Sequence, residues 1–203
     1  MLEAMVPGFE RMTLGALEEV EAGLAWTDRA QPLVKARVEE AAAHFPRHRA
    51  LDVPLAEGSR TVFMHEVADV HRELYAEQGD LYGANVAAKI ELCLAVTDSE
   101  YEAGLRARAE YRETIDDLFA GIDLLVTPTL PFVAPPSGQD ERQLRGQLTL
   151  LTWPFNIAGL PALAVPCGPA EDGLPASIQL VGRPGDDAVV LAAGTLLERA
   201  LKP

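Results

Sequence analysis

The sequence LTWPFNIAGLPALAVPCGPAEDGLPASIQLVGRP, residues 151–184, decides the fold of this chain. Prolines and glycines interrupt two short apolar runs in this stretch. Proline fixes φ and removes a hydrogen-bond donor, whereas glycine adopts backbone conformations that other residues avoid. The pattern therefore predicts two strands joined by a turn at Glu171-Asp172-Gly173.

N-terminal to this stretch, residues 12–54 predict a strand–helix–strand unit. The apolar run Met12–Leu17 favours a strand. Pro32 suits the first turn of a helix, whose apolar stripe continues to Pro46. Leu51–Val53 alternates in polarity before a proline and is typical of a second strand.

The segment 60–121 predicts helices only. A first helix spans Arg60–Gln78, and its apolar stripe comprises Phe63, Val67, Val70 and Leu74. A second helix is expected over about 86–97. A third is expected over about 100–120, with Thr97-Asp98-Ser99 supplying capping oxygens.

The segment 123–203 carries the sheet signature. Asp123–Thr127 is a continuous apolar run of strand length, and Ala162–Val165 is similar, so both are expected to be covered on two faces. Asp186-Asp187 can cap a final helix with the stripe Val190, Ala193, Leu197 and Leu201. Strands alternating with helices indicate an α/β fold, and 203 residues suit a single domain over 1–203.

Composition excludes several function classes. The net charge of −14 argues against a nucleic-acid or anionic-membrane partner, because phosphate binding needs clustered basic residues. Cys93 and Cys167 stand apart, which suits a reducing cytoplasm. The N-terminus lacks a basic flank followed by a long apolar run, so we expect no signal peptide. No apolar stretch reaches the length of a membrane helix.

Candidate nucleophiles and metal ligands give weak signals. The four serines, Ser59, Ser99, Ser137 and Ser177, form neither G-x-S-x-G nor S-x-x-K. Cys167 is either a thiol nucleophile or a buried apolar residue. His65-Glu66-Val67-Ala68-Asp69-Val70-His71 is not H-E-x-x-H, and its polar residues favour a solvated helix face over a metal site.

Three motifs carry a resemblance to a known family: DLLVTPTLP at 123–131, FNIAGLPALAVPCG at 155–168 and GLPASIQLVGRPGDDAVVLA at 173–192. They resemble the C-terminal half of the amidase signature family, serine hydrolases that cleave carboxamides. The resemblance implies a mixed central sheet flanked by helices. It also implies that the Ser–Ser–Lys catalytic region is absent from this sequence, so no catalytic residue is assigned.

The resemblance suggests where substrate binds. In the family, the turn that corresponds to Trp153-Pro154-Phe155-Asn156 borders the substrate cleft, so Thr149, Trp153 and Asn156 are candidate substrate-binding residues, although a structural role for the turn stays open. Lys89 falls where glutamine-using relatives place a basic residue. Those relatives carry an acidic residue near the position of Thr149. The resemblance implies no cofactor and no metal.

Three functions remain open at this point. The first is an amidase portion that cleaves carboxamides only when an N-terminal catalytic half completes it. The second is a non-catalytic remnant or binding subunit, and the third is a thiol hydrolase acting through Cys167. The expected partners are a small amide substrate and either the N-terminal amidase half or further copies of the chain. The gene is split or truncated, or the sequence is a portion of a longer protein.

Overall fold

The computed structural model describes residue 10, residues 12–139 and residues 141–202, with the backbone alone for residues 141 and 142. The expectation about a signal peptide falls mainly on residues 1–9, which lie outside the described residues. The chain divides into two compact units, one formed by 1–55 with 115–203 and the other by 56–114. No described helix has both the length and the apolar character needed to cross a membrane.

The first unit is built on a mixed five-stranded sheet in the order β2-β1-β3-β5-β4. Strand β1 pairs in parallel with β2 and β3, whereas β5 pairs antiparallel with β3 and β4. This arrangement confirms the predicted mixed sheet. The strands are β1 Ala22–Leu24, β2 His48–Ala50, β3 Leu124–Pro128, β4 Ala162–Pro169 and β5 Pro175–Val181.

The predicted strand–helix–strand unit is present, but both of its strands lie elsewhere. Helix α1 begins at Pro32, as predicted, and spans Pro32–Ala42. The expected strand Met12–Leu17 is wrong, because Leu17–Glu19 forms a 3-10 turn and β1 follows it. The expected strand Leu51–Val53 is also wrong, because β2 precedes it. All three residues of β2 are exposed at the sheet edge, so no apolar pattern marks this strand.

One face of the sheet forms the main core. Side chains alternate along a strand, so β3 and β5 each send every second residue to this face. Helices α1 and α7 (Asp187–Leu201) cover it, and α7 presents the predicted stripe. The largest contributors are fully or almost fully buried: Leu124, Val126, Ile178, Leu180, Val34, Val38, Phe45, Val190, Ala193 and Leu197.

The edge strand β4 is covered on one face. Val165 is buried, but Ala162 and Ala164 are exposed, so the face that the other half of the family fold was expected to cover is open among the described residues. In the interior strand β3 every residue is buried, as expected. A register shift between Pro166 and Gly168 suits an edge strand that contains prolines.

The turn between β4 and β5 lies at Glu171–Gly173, as predicted. Ala170 donates to the Leu174 carbonyl at 2.7 Å and closes the hairpin. Gly173 adopts a φ of 74°, a conformation that costs glycine least.

The second unit is helical, as predicted. It contains α2 (Arg60–Gln78), α3 (Ala84–Leu94) and α4 (Asp98–Leu118) up to Thr114. Thr97 and Glu100 form a reciprocal cap at the start of α4, with the Thr97 amide donating to the Glu100 carboxylate at 2.8 Å.

The apolar stripe expected on α2 does not face the interior of this unit. Phe63 is 52% exposed, Val70 is 74% exposed and Leu74 is 43% exposed. Val62 and Ala68, on a different face of α2, are buried instead. The stripe is therefore wrong as the buried face, although the helix itself is confirmed. A helix with apolar residues on several faces has more than one surface that can be buried.

Candidate substrate-binding site

A corner of the first unit forms where the parallel strands β1 and β3 end. Trp26 lies just beyond β1, and Thr127 lies near the end of β3. A short helix, α6 (Trp153–Ala158), lies against this corner, and its Phe155 ring stacks on Trp26 with 5.2 Å between ring centroids. In α/β sheets, ligands commonly bind beside the carboxyl ends of parallel strands. We call residues 26, 127, 179 and 149–156 the strand-end corner.

Trp26 forms the first anchor of the strand-end corner. Its φ is 60°, a left-handed conformation that is uncommon for any residue other than glycine. The side chain is 5% exposed, and its indole N–H donates to the Val53 carbonyl at 2.7 Å. Such a backbone conformation persists only where the surrounding structure holds it. The packing on Phe155 and the bond to Val53 supply that restraint.

Gln179 forms the second anchor. It pairs with Thr127 across β5 and β3, and both side chains are buried. The Gln179 side-chain amide donates to the Thr127 hydroxyl and to the Leu151 carbonyl, each at 3.1 Å. A buried amide without partners would cost about 1–3 kcal/mol, so these bonds offset its desolvation. They also connect two strands to the chain that leads into α6.

The segment at Trp153–Asn156 is a short helix, so the expected turn is wrong. The Thr149 carbonyl accepts from the Trp153 amide at 2.8 Å before α6 begins. Pro154 lies in the first turn, where its missing N–H leaves no helical bond unmade. Gly159, with a φ of 76°, ends the helix. Pro154 and Gly159 are thus the start and stop signals of this helix.

Three of the candidate substrate-binding residues, Thr149, Trp153 and Asn156, lie within residues 149–156. Asn156 is exposed, and Thr149 and Trp153 are half-buried, whereas Phe155 is buried against Trp26. The Thr149 hydroxyl donates to the Arg145 carbonyl at 3.3 Å, in the last turn of α5 (Glu141–Leu148). The segment therefore combines an apolar inner side with polar groups at its surface, as small-molecule sites do.

Lys89 lies in the helical unit. In the sequence it is far from the other three candidates, Thr149, Trp153 and Asn156. It is half-buried on α3, one residue before the buried Ile90. Lys89 lies in the middle of this helix, which spans Ala84–Leu94.

The comparisons with known proteins fit this architecture. The profile of the amidase family matches residues 14–191. The chain belongs to the amidase family. A glutamyl-tRNA(Gln) amidotransferase subunit from Chloroflexus aggregans is 33% identical over 209 residues, covering 98% of this chain and 42% of that protein. An amidase of Pseudomonas putida is 31% identical, covering 85% of this chain and 40% of that protein.

Solved amidase-family structures share the fold. One described as an amidase has a TM-score of 0.76 and 27% identity, covering 96% of this chain and 47% of the other. Another, from a vestigial protein complex related to the origins of an s-triazine catabolic enzyme, has a TM-score of 0.81 and 26% identity, covering 93% and 45%. This amidase-family chain spans about two fifths of the length of the curated relatives it matches.

Two of the four serines, Ser59 and Ser99, show no neighbouring base among the described residues. A serine nucleophile requires a neighbouring base. The Ser59 hydroxyl is buried without a hydrogen-bond partner among the described residues. The Ser99 hydroxyl lies 3.2 Å from the Thr97 hydroxyl, which is not a base.

The histidines of the helical unit are held by neighbouring side chains. The two ring nitrogens of His65 lie 3.5 Å from Asp69 and 3.2 Å from Asp98, and the ring stacks on Tyr101. His71 bonds to the Tyr82 hydroxyl at 2.8 Å. Within the described ranges, no group of three or more His, Cys, Asp or Glu residues could hold a metal ion.

The two thiols occupy environments that suppress the thiolate. Burial raises the pKa of the Cys167 thiol to about 11, although the Ile178 backbone and Arg37 lower it in part. Burial also raises the pKa of Cys93. Because the thiolate is the nucleophile, these directions oppose a catalytic role.

We therefore expect Cys167 to resist alkylation by iodoacetamide at pH 8. About one thiol in a thousand would be ionised there, against roughly a quarter for an ordinary cysteine. The rate should rise about tenfold per pH unit toward pH 11, since deprotonation exposes the reactive form. Mass spectrometry of the native chain measures this rate, with the chain in 8 M urea as the fully reactive control. Rapid native labelling of Cys167 at pH 8 would contradict the assignment.

Gln179 and Thr127 have a weak signal in the sequence, and Trp26 has none. Gln179 interrupts the apolar strand ASIQLV, and a polar residue inside a buried strand signals a specific partner. Thr127 ends an apolar run in a similar way. Trp26 stands outside any motif, and its unusual φ has no local sequence signal.

Proposed function

We propose that this chain forms the substrate-binding wall of a carboxamide hydrolase and that a further segment supplies the nucleophile. Membership of the amidase family supports the chemistry. The observation that carries the proposal is the strand-end corner, in which a segment with exposed polar groups is fixed by two buried anchors. The Ser59 hydroxyl is buried without a hydrogen-bond partner among the described residues, and burial raises the pKa of Cys167 to about 11, so neither side chain is an activated nucleophile.

Thr149, Trp153 and Asn156 are proposed to contact the substrate. The half-buried Trp153 offers an apolar surface, and the Asn156 side chain can both donate and accept hydrogen bonds. Both properties suit a carboxamide, which also donates and accepts. Lys89 is proposed as a further substrate-binding residue, and this proposal depends on the family resemblance alone.

The proposed partner is the N-terminal amidase half. The chain covers only 42% of a matched relative. The helical unit also exposes large apolar side chains, including Val70 at 74%, Leu81 at 78% and Leu92 at 61%. Phe63, Val70 and Leu74 lie on one face of α2, and a contiguous exposed apolar patch of this kind is typical of a surface that another segment covers. The net charge of −14 favours neither nucleic acid nor an anionic membrane as partner, and lone cysteines suit a cytoplasmic location.

Co-expression tests this partnership. The chain should co-purify in a 1:1 complex with an amidase segment that carries the Ser–Ser–Lys residues. Val70→Glu together with Leu74→Glu should weaken that complex, because two charges would enter the buried surface. Glu73→Gln, on the same helix, is the matched control. Purification of the chain without the segment would refute the partnership.

The alternative is a non-catalytic binding subunit. The structural relative from a vestigial complex supports this alternative, since it shares the fold with a TM-score of 0.81. The two proposals differ in one result. A binding subunit would join a complex whose hydrolysis is unchanged by substitutions at Trp153 and Asn156.

Glutamine is expected to be a poor substrate of the completed enzyme. Thr149 donates its hydroxyl proton to the Arg145 carbonyl and carries no charge, so it offers no full negative charge to the α-ammonium group of glutamine. Thr149→Asp should raise kcat/KM for glutamine by about one to two decades, because a charge-assisted contact contributes about 1.5–3 kcal/mol. Glutaminase and aryl-amidase rates of both forms measure this. Thr149→Asn is the uncharged control, and a parent enzyme that prefers glutamine would contradict the argument.

A further inference from the structure

We propose that Gln179, through Thr127 and the Leu151 carbonyl, is a positioning residue for α6 and the substrate wall that it carries. The geometric part of this inference concerns α6 alone. Its consequence for catalysis rests on the proposed function. Gln179 exerts its role through the Leu151 carbonyl, which accepts from the Gln179 side-chain amide.

The hydrogen bonds fix the orientation of the Gln179 amide. A backbone carbonyl only accepts, so the NH₂ group must face Leu151. The same nitrogen lies 3.1 Å from the Thr127 hydroxyl oxygen. Its two N–H groups thus point to two acceptors, one on the sheet and one on the chain before α6. Reversing the amide would set oxygen against oxygen at Leu151.

The sheet provides a rigid base for this contact. Gln179 lies on β5, which pairs with β3 on one side and with β4 on the other. Its backbone is therefore held from both sides, opposite Thr127 and Ala164. Leu151, the residue that it holds, is fully buried two positions before α6. The hydrogen bond from Gln179 to Leu151 therefore fixes the start of α6 relative to the sheet.

Gln179 is 4% exposed and lies on the face of β5 opposite to Ile178 and Leu180. Methionine, which is similar in volume, could occupy the same buried position. A buried amide gains little net stability over an apolar side chain of the same shape, but its hydrogen bonds have direction. Glutamine orients the Leu151 carbonyl through a hydrogen bond, whereas methionine has no donor to do so.

Hydrogen exchange on the 203-residue chain tests the geometric inference. The reporters are the amides of Trp153, Asn156 and Leu160, which bond to carbonyls of the same segment. Gln179→Met keeps the volume but removes both bonds, and it should lower reporter protection at least tenfold. Protection of β3 and β5 amides should change less than threefold. Gln147→Met makes the same chemical change at an exposed site on α5 and should change neither set.

Two further variants separate orientation from general stability. Thr127→Val keeps the bond from Gln179 to Leu151 and should lower reporter protection less than Gln179→Met does. Gln179→Glu should lose reporter protection at pH values where the introduced carboxyl is ionised and regain it as the pH falls, because only the protonated carboxyl can donate to Leu151. Neither the parent chain nor Gln179→Met should show this pH dependence.

The outcomes are distinct. If Gln179→Met lowers hydrogen-exchange protection equally across the whole first unit, Gln179 contributes only to general stability and the inference is overturned. Unchanged protection of the reporter amides would also overturn it. In the completed enzyme, Gln179→Met should raise KM several-fold for amide substrates. If the completed enzyme proves inactive, the proposed function fails while the exchange result still decides the role of Gln179.

Discussion

The 203-residue chain by itself is expected to show no measurable hydrolysis of aryl or aliphatic amides. Hydrolysis by a serine enzyme requires a nucleophile, a base that activates it and donors for the developing oxyanion. Ser59 is buried without a partner among the described residues, and Cys167 carries a pKa of about 11. Removing the nucleophile of a serine hydrolase lowers kcat on the order of 10⁶-fold, so the expected rate lies below detection.

Substitutions identify the source of any activity that is found. Turnover by the purified chain would refute the view that the nucleophile lies outside this chain, and its loss with one Ser→Ala change, tested one serine at a time, would identify a serine as the nucleophile. Loss of turnover with Cys167→Ala alone would instead support the thiol hydrolase. Cys93→Ala is the matched control, since Cys93 is also buried.

Replacing Trp26 by alanine is expected to lower the free energy of unfolding by about 3–5 kcal/mol. The side chain is 5% exposed, stacks on Phe155 and donates to the Val53 carbonyl at 2.7 Å. Alanine removes the ring, leaves a cavity against Phe155 and leaves the Val53 carbonyl without its donor. Urea unfolding monitored by circular dichroism measures the loss.

Trp26→Phe is the matched control for the stacking contact. It keeps a ring against Phe155 but removes the indole N–H, so we expect a smaller loss of about 1–3 kcal/mol. The chain has two tryptophans, so either variant leaves Trp153 as its only fluorescent indole. A shift of the Trp153 emission would show that the anchor positions α6. A loss below about 1 kcal/mol for Trp26→Ala would contradict the role assigned to Trp26.

Elements whose ends are marked by proline and glycine could be predicted from the sequence. The hairpin of β4 and β5 is bounded by prolines and glycines, whose backbone preferences act locally. The predicted ends of helix α2 are correct, because its sequence supports a helix regardless of which face is buried. The predicted buried face is wrong, since burial depends on neighbours that the local sequence does not specify.

Elements that depend on pairing could not be predicted. Strand β1 has only three residues, and its place between β2 and β3 determines its structure. Strand β2 consists of exposed residues and has no apolar pattern. Local propensity is a weak guide to such strands, because their stability comes from contacts with distant parts of the chain.

The candidate site could be predicted only in part. The family resemblance indicates Thr149, Trp153 and Asn156, which lie in one segment of the structure. It does not indicate Trp26, Thr127 and Gln179, which hold this segment from other parts of the chain. A contact between Gln179 and Leu151 spans 28 residues and has no periodic signal.

The most direct test of the account is an amide-hydrolysis assay of the chain co-expressed with a segment carrying the Ser–Ser–Lys residues. Neither part alone should hydrolyse an aryl amide, and the complex should do so. Asn156→Ala should lower that activity, whereas Glu198→Gln, at an exposed site on α7, should not. Hydrolysis by the catalytic segment alone at the rate of the complex would contradict the claim that this chain forms part of the substrate site.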